Sequence, residues 1–142
     1  MSGLTLAQAN KIIAAALATA REKSYKPMAV VVLDESGHVK ALQREDGASM
    51  FRVDVATGKA WASVAMGAPS RDLLERAKQN PVFFGGLAAT AQGKFLAQTG
   101  AVLIKNADGT ILGAAGASGG TGDEDEAVCM AGVKAAGLTC ST

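Results

Sequence analysis

Apolar residues recur at helical spacing near the beginning of the chain. Leu6 and Ile13 fall on one helix face, and Thr5 with Gln8 three residues later makes the pairing of a helix capping box. A lysine–proline pair then ends the pattern, because proline has no backbone N–H with which to continue a helix. The sequence therefore predicts a first helix over about residues 5–23.

The pattern next changes from helical to β. Residues 28–33 form a short β-branched run, residues 34–37 read Asp-Glu-Ser-Gly and have turn chemistry, and residues 38–44 can return antiparallel. We therefore predict a hairpin. Ser49 is then expected to cap a second helix that runs to about Met66.

Shorter elements follow the second helix. A helix is predicted to start at Pro69 and Ser70 and to stop before Pro81. Residues 82–94 have no clean hydrophobic period and predict an irregular loop, and a last helix begins at Asp123. Three strands are predicted between them, over residues 95–97, 101–105 and 110–117.

Together these elements have the order αββααβββα. We predict an α+β fold in which helices flank an antiparallel five-stranded sheet. The chain has 142 residues, of which 49% are hydrophobic, so it is long enough for one core and too short for two ordinary ones. A single domain over residues 1–142 is expected.

The charges of the chain are nearly balanced. Its 14 Lys and Arg residues against 13 Asp and Glu residues give a net charge of +1, and their interspersion leaves no basic surface for a nucleic acid or an anionic membrane. The apolar segment 12–20 lies between Lys11 and Arg21 and is shorter than the roughly 20 residues that span a bilayer. We expect no nucleic-acid partner, no membrane segment and no signal peptide.

The two cysteines, Cys129 and Cys140, lie near opposite ends of the last helical segment. A helix of that length separates them by on the order of 15 Å, which is too far for a disulfide. Both are predicted to be free thiols, which favours a cytoplasmic location. The sequence has no Cys-x-x-Cys or histidine-rich spacing, so we expect neither a metal site nor covalently attached haem.

A corner rich in glycine runs from Gly113 to Ala127. Glycines remove the Cβ atoms that would keep a ligand or a neighbouring chain away from the backbone. The acidic residues that follow would repel a phosphate, which excludes a nucleotide-binding loop. A pocket wall and a tight structural corner both remain compatible with the pattern. The glycines concerned are Gly116, Gly119, Gly120 and Gly122.

Four motifs in a fixed order give the chain a family resemblance. They are Asp34-x-x-Gly37 followed by His38, Arg44-Glu-Asp-Gly-Ala48, Lys59-Ala60, and the run Ile111 to Gly120 followed by Asp123-x-x-x-Ala127. With these motifs the chain resembles the GlcG/HbpS-type family, also called the haem-degrading family. The C-terminal domain of PduO-type cobalamin adenosyltransferases is a relative of that family.

The resemblance covers nearly the whole chain, and it implies several properties. The family implies a profilin-like fold and self-association into dimers or larger oligomers, up to octamers. It also implies a pocket for a small ligand, associated with haem in some members and with catabolic operons in others. As the only histidine, His38 is the possible haem ligand. An exposed turn histidine is the alternative.

Other candidate ligand-binding residues follow the hairpin. Arg44 and Asp46 leave the second strand together, with Gly47 next. A guanidinium near a carboxylate can form an ion pair that orients either group toward an acidic or hydroxylated ligand. A purely structural turn held by the same pair is an equal alternative. Phe83 is a candidate pocket residue, with core filling as its alternative.

Lys59 and the acidic helix start supply candidates for catalysis. Small alanines flank Lys59, so its ammonium is either desolvated, which suits carboxylate binding or proton transfer, or extended to solvent. Asp123 and Glu126 fit a capping box, and Glu126 is also a candidate general base. The predicted ligand contacts in the corner are Ser118, Gly119, Gly120 and Asp123.

Three hypotheses follow. In the first, an oligomeric protein binds haem or a related tetrapyrrole in one cavity formed by Arg44–Ala48, Lys59 and Ser118–Asp123. In the second, a cofactor-free lyase or isomerase acts on a small carboxylated or hydroxylated catabolite. Arg44 then holds the carboxylate, and Lys59 or Glu126 moves the proton. In the third, the protein is a non-catalytic accessory of a catabolic operon.

Overall fold

The computed structural model describes residues 3–141. Helix α1 (Leu6–Glu22) begins at the predicted capping box, in which the Thr5 hydroxyl accepts from the Gln8 backbone N–H and the Gln8 side chain accepts from the Thr5 N–H. The box satisfies two of the N–H groups that a helix start leaves without intrahelical partners. The predicted first helix is confirmed.

The predicted hairpin is also confirmed. Strands β1 (Ala29–Asp34) and β2 (Val39–Arg44) pair antiparallel. The Asp34 carboxylate accepts from the backbone N–H groups of Ser36 and His38, which closes the turn between the strands. Helices α2 (Met50–Met66) and α3 (Ser70–Gln79) follow where they were predicted.

Five strands form one antiparallel sheet. Strands β3 (Ala101–Lys105), β4 (Ile111–Ser118) and β5 (Thr139–Ser141) join the hairpin in the order β2-β1-β4-β3-β5. Helix α4 (Pro81–Thr90) precedes β3, and helix α5 (Gly122–Ala135) lies between β4 and β5. The α+β class and the five-stranded antiparallel sheet flanked by helices are confirmed.

Two of the predicted segments are wrong, residues 82–94 as a loop and residues 95–97 as a strand, and strand β5 was not predicted. Residues 82–90 belong to α4 and not to an irregular loop, because Pro81 occupies the first turn of the helix, where its missing N–H costs nothing. Residues 91–94 form the turn that follows it. Residues 95–97 are not a strand: Phe95 packs against Phe84 of α4, with ring centroids 6.0 Å apart. The fifth strand is instead β5, at the edge of the sheet beside β3.

The sheet separates two apolar layers. Val30 and Val32 of β1 point to the cluster that holds α1 and α5, whereas Val31 and Leu33 point to the cluster of α2. This is the alternation expected of a strand covered on both faces. The consequence for function is that α2 and the start of α5 meet at the end of β4, where the glycine-rich corner lies.

Candidate functional site

The corner after β4 is built by the start of α5. Thr121 is the N-cap of α5: its hydroxyl accepts from the Glu124 N–H, and the Glu124 carboxylate accepts from the Thr121 N–H. The expectation that Asp123 and Glu126 form the capping box is therefore wrong by two residues. The physical reason is that the helix begins one residue earlier, at Gly122, so Asp123 lies inside its first turn.

A groove of about 390 Å³ opens at this corner, and we call it the corner groove. Helix α2 contributes Arg52 and Lys59 to its lining, and the corner contributes Ser118, Gly120, Asp123 and Asp125. The structure thus brings Lys59 together with three of the four predicted corner contacts. Gly119 lies beside the groove, in a neighbouring cleft that also includes Arg52.

Lys59 and Asp125 form a buried ion pair in the groove wall. Lys59 Nζ donates to Asp125 Oδ2 at 2.9 Å and to the Ala117 carbonyl at 3.1 Å. The other Asp125 oxygen accepts from the Gly120 N–H at 2.9 Å. A side chain at Gly100 would displace the pair, because its Cβ would lie 2.5 Å from Lys59 Nζ. Of the two positions considered for Lys59, the structure has the desolvated one.

Burial is the largest influence on the pKa of the Asp125 carboxyl. Removal from water disfavours its charged form and raises its pKa, while the adjacent Lys59 ammonium and the Gly120 N–H act in the opposite direction. The net direction is upward. Asp125 was not among the predicted site residues, although a buried lysine on an alanine-rich helix face requires a counter-ion, and this signal pointed to the acidic run.

Glu126 is held by an arginine from another helix. Arg71 of α3 donates to both Glu126 oxygens, at 3.1 and 3.0 Å, and also contacts Asp123. The hydrogen bonds to Glu126, and then those to Asp123, raise the pKa of Arg71 above its ordinary range. This bidentate contact engages both Glu126 oxygens. The predicted role of Glu126 as a general base stays a prediction, and the bidentate contact does not favour it.

Arg52 is a groove residue that the sequence analysis missed. It lies in the first turn of α2, and its guanidinium donates to the Ser118 hydroxyl at 3.1 Å. No sequence motif marks it, because its position depends on α2 crossing the end of β4. Its guanidinium carbon also lies 5.9 Å from the Phe51 ring centroid, a cation–π distance.

The end of the hairpin lies outside the corner groove. Arg44 and Asp46 line a different cleft, and Gly47 lines the small cleft next to Gly119. The expected Arg44–Asp46 ion pair is absent from the described residues; Arg44 donates instead to the Ala48 carbonyl at 2.6 Å. The prediction of a single cavity formed by three chain segments is therefore wrong. The segments around Lys59 and Ser118–Asp123 share the corner groove, and the segment Arg44–Ala48 lies beside it.

His38 lies at the opposite end of the sheet from the corner. Ser118 pairs with Ala29 at the beginning of β1, whereas His38 follows its end. The five residue steps along β1 correspond to roughly 17 Å. His38 cannot reach a ligand in the corner groove, because the length of the central strand separates them.

A second cleft, of about 630 Å³, surrounds His38. We call it the hairpin cleft. The turn contributes His38 and Val39, α2 contributes Asp54 and Trp61, and the segment after α4 contributes Lys94. Both His38 and Val39 are exposed. The arrangement combines a free imidazole, an indole, an aliphatic surface and a cation.

Phe83 is separated from both sites. It lies on the outer side of α4, is 53% exposed, and meets only the edge of Phe84 among the aromatic rings of the described residues. Phe84 took the core position that was considered for Phe83. Phe83 is not among the residues that line the corner groove or the hairpin cleft.

The described residues show neither a metal cluster nor a membrane helix. Within residues 3–141, no three His, Cys, Asp or Glu side chains are placed to hold a metal ion. Over the same residues, no helix has the length and apolar content needed to cross a membrane. Both cysteines are free thiols, as predicted.

Sequence comparisons find a family model and a curated relative that each match most of the chain. A family model described as haem degrading protein HbpS-like matches residues 4–134. A relative from Citrobacter freundii, described as an uncharacterized 15.0 kDa protein in the dhaT-dhaS intergenic region, is 28% identical over 122 residues, which cover 86% of this chain and 84% of the relative.

Solved structures have the same fold. The crystal structure of a PduOC:heme complex superposes with a TM-score of 0.85 at 24% identity, over 96% of each chain. A double mutant of HbpS from Streptomyces reticuli gives 0.81 at 29% identity, over 94% of this chain and 87% of that one. Klebsiella pneumoniae ORFY gives 0.84 at 25% identity, over 94% and 90%.

Proposed function

The chain belongs to the HbpS-like family of haem-degrading proteins, and from this premise we propose that it binds haem or a related tetrapyrrole in the hairpin cleft. The observation that carries the proposal is the position of His38. The only histidine of the chain lines a cleft of about 630 Å³, a size within the range of cofactor pockets.

The residues of the cleft fit the parts of a haem molecule. The His38 imidazole is the kind of axial ligand that haem iron takes in proteins, and Val39 and Trp61 offer apolar and aromatic surface to a flat macrocycle. The Lys94 ammonium suits a propionate carboxylate. Because the Asp54 carboxylate on the α2 side would repel the propionates, it favours their placement toward Lys94. When bound there, haem would supply an iron centre, and His38, Trp61 and Lys94 would hold it.

Self-association is part of the proposal. Large apolar side chains are exposed at the beginnings of two helices: Met50 is 80% exposed on α2, and Val82 is 87% exposed on α4. Apolar surface of this kind is typical of protein–protein contacts. We propose a homo-oligomer in the cytoplasm, a location that the two free cysteines support. The lyase, isomerase and accessory hypotheses stay predictions.

Haem titration tests the proposal with two independent signals. Trp61 is the only tryptophan, so quenching of protein fluorescence reports haem bound to the protein, while the Soret band reports the iron ligand. We expect saturable quenching together with a Soret shift. The His38→Ala protein is expected to lose the Soret shift, and Lys94→Ala to bind haem more weakly with the Soret position unchanged.

A matched control separates this cleft from adventitious haem binding. Met66→Ala removes another residue type that can ligate haem iron, from a position outside the hairpin cleft. We expect its Soret shift to equal that of the unmodified protein. A titration without saturation at micromolar haem, or a His38→Ala protein with an unchanged Soret band, would contradict the proposal.

A further inference from the structure

We propose that the corner groove is a separate binding site, which takes a small monocarboxylate and holds it through Arg52. This site is independent of the haem proposal, because the groove lies at the other end of the sheet from His38. The inference comes from a difference between the acceptors of the groove, which are engaged by the protein, and its donors, which are only partly engaged.

The carboxylates of the groove are already engaged by the protein. Asp125 accepts from Lys59 with one oxygen and from the Gly120 N–H with the other. Arg71 contacts Asp123 of the lining, and it also occupies both oxygens of Glu126, which lies outside the lining. Few acceptor sites with full negative charge are therefore left for a ligand that brings hydrogen-bond donors or a positive charge.

The hydrogen-bond donors of the groove, by contrast, use only part of their N–H and O–H groups within residues 3–141. A guanidinium carries five N–H donors, and Arg52 makes one side-chain hydrogen bond, to Ser118, and no salt bridge with any residue of the range 3–141. Because the Ser118 hydroxyl accepts that bond, its own proton is free to be donated. Lys59 uses two of its three N–H groups, on Asp125 and Ala117. A ligand that accepts hydrogen bonds and carries negative charge complements this set.

The same contacts favour a single carboxylate over a phosphate. Two backbone N–H groups of the corner are already used by the protein: Gly120 donates to Asp125, and Thr121 donates to Glu124. Asp123, 81% exposed at the rim, would repel a dianion more than a monoanion. A planar carboxylate, however, matches the fork of the Arg52 guanidinium in a two-pronged contact.

The size of the groove restricts the ligand further. Its volume of about 390 Å³ corresponds to about a dozen water molecules, at ~30 Å³ each. This space is sufficient for a short-chain acid together with a few waters, and the lining offers little apolar surface for a long chain. The proposed ligand class is therefore a small acid with one carboxylate.

Propionate is a suitable probe, with propionamide as its neutral analogue of the same shape. Backbone amide signals are followed by NMR while either compound is added to the full-length protein at constant ionic strength, maintained with sodium chloride. We expect propionate to shift the amides of Ser118 to Gly122 in a saturable way and propionamide to leave them unchanged. Because propionate replaces chloride at constant ionic strength, a saturable shift is not an effect of ionic strength.

Two variants assign the effect to Arg52. Arg52→Gln keeps a side chain that can donate to Ser118 but removes the charge, so the dissociation constant for propionate is expected to rise about tenfold or more. Arg76→Gln makes the same change at an exposed arginine of α3, and no change in affinity is expected. His38→Ala is likewise expected to bind propionate as the unmodified protein does.

The proposal is overturned by any of three results: no saturable shift of the corner amides with propionate, equal shifts with propionamide, or an unchanged dissociation constant in a folded Arg52→Gln protein. The comparison of propionate with propionamide uses the unmodified protein, so the test stands even if a variant does not fold. Loss of haem binding in His38→Ala with propionate binding retained would show that the two sites are independent.

Discussion

Lys59 Nζ and Asp125 Oδ2 lie 2.9 Å apart, and the two residues are only 5% and 1% exposed. A buried pair of this kind contributes little net stability, since desolvation of both charges offsets their attraction. Breaking it is different, because one charge is then left alone in the interior. The pair therefore fixes how α2 meets α5 more than it stabilises the fold.

A double-mutant cycle on this pair is expected to show strong coupling. Asp125→Asn leaves the Lys59 ammonium without a counter-ion and should lower the free energy of unfolding by about 3–5 kcal/mol. Lys59→Met should cost a similar amount. The combined Lys59→Met and Asp125→Leu protein should lose less than the sum of the single changes. Urea unfolding measures all of them, and simple additivity would contradict the burial argument.

The pH dependence of Lys59→Met follows from the pKa of Asp125. Burial raises this pKa above the ordinary value of 3.8, and Lys59 opposes the rise, so its removal should raise the pKa further. Between 3.8 and the raised value, the folded state binds more protons than the unfolded state. The free energy of unfolding therefore increases as the pH falls through that window.

We accordingly expect the stability deficit of Lys59→Met to shrink as the pH falls from about 7 to about 4. Urea unfolding of the variant and the unmodified protein at several pH values measures this difference directly. The control is Lys78→Met, at an exposed lysine that pairs with Glu75 on the surface of α3. A deficit that stays constant over the whole range would contradict the assignment to Asp125.

The two thiols should differ in reactivity. Burial raises the pKa of both cysteines, most strongly for the fully buried Cys129, while Cys140 on edge strand β5 is partly exposed. Since the thiolate is the reactive form, a thiol reagent at about pH 8 should modify Cys140 slowly and Cys129 only after unfolding. Cys140→Ser should abolish labelling of the folded protein. Rapid modification of two thiols per folded chain would show that Cys129 is accessible.

Two glycine substitutions are expected to have opposite effects on stability, because Gly116 on β4 is packed against α2 and Gly85 faces open space. A Cβ at Gly116 would lie 2.5 Å from the Ala56 carbonyl oxygen, so Gly116→Ala should destabilise the protein by about 1–3 kcal/mol through overpacking. Gly85 on α4 has no neighbour within 4 Å of its added Cβ. There the helix preference of alanine should add about 0.5–1 kcal/mol. Thermal unfolding distinguishes the two, and equal shifts would contradict the packing.

The elements that were predicted correctly have local causes. The capping box of Thr5 and Gln8 lies within four residues, and the hairpin turn is closed by Asp34 on its own following residues. Contacts at such short sequence separation can be read from residue types and spacing. The free state of the two cysteines was predicted correctly, although the helix expected to hold them apart ends at Ala135 and Cys140 lies on β5.

The elements that were missed depend on tertiary contacts. Helix α4 contains adjacent glycines, which weaken helix propensity, and it is packed through Phe84 against Phe95 and Leu73. Strand β5 has three residues and pairs with β3 at a sequence separation of more than thirty residues. Local pattern carries no information on such partners.

By itself, the sequence determined the family, the α+β class and the hairpin, and it named Lys59 and the glycine-rich corner as candidates. Only the tertiary structure decided that Asp125 is the partner of Lys59, that Arg52 rather than Arg44 lines the corner groove, and that His38 lies in another cleft. The physical reason is that spacing along the chain specifies turns and faces, whereas a site requires segments brought together by strand order and by the way helices cross the sheet.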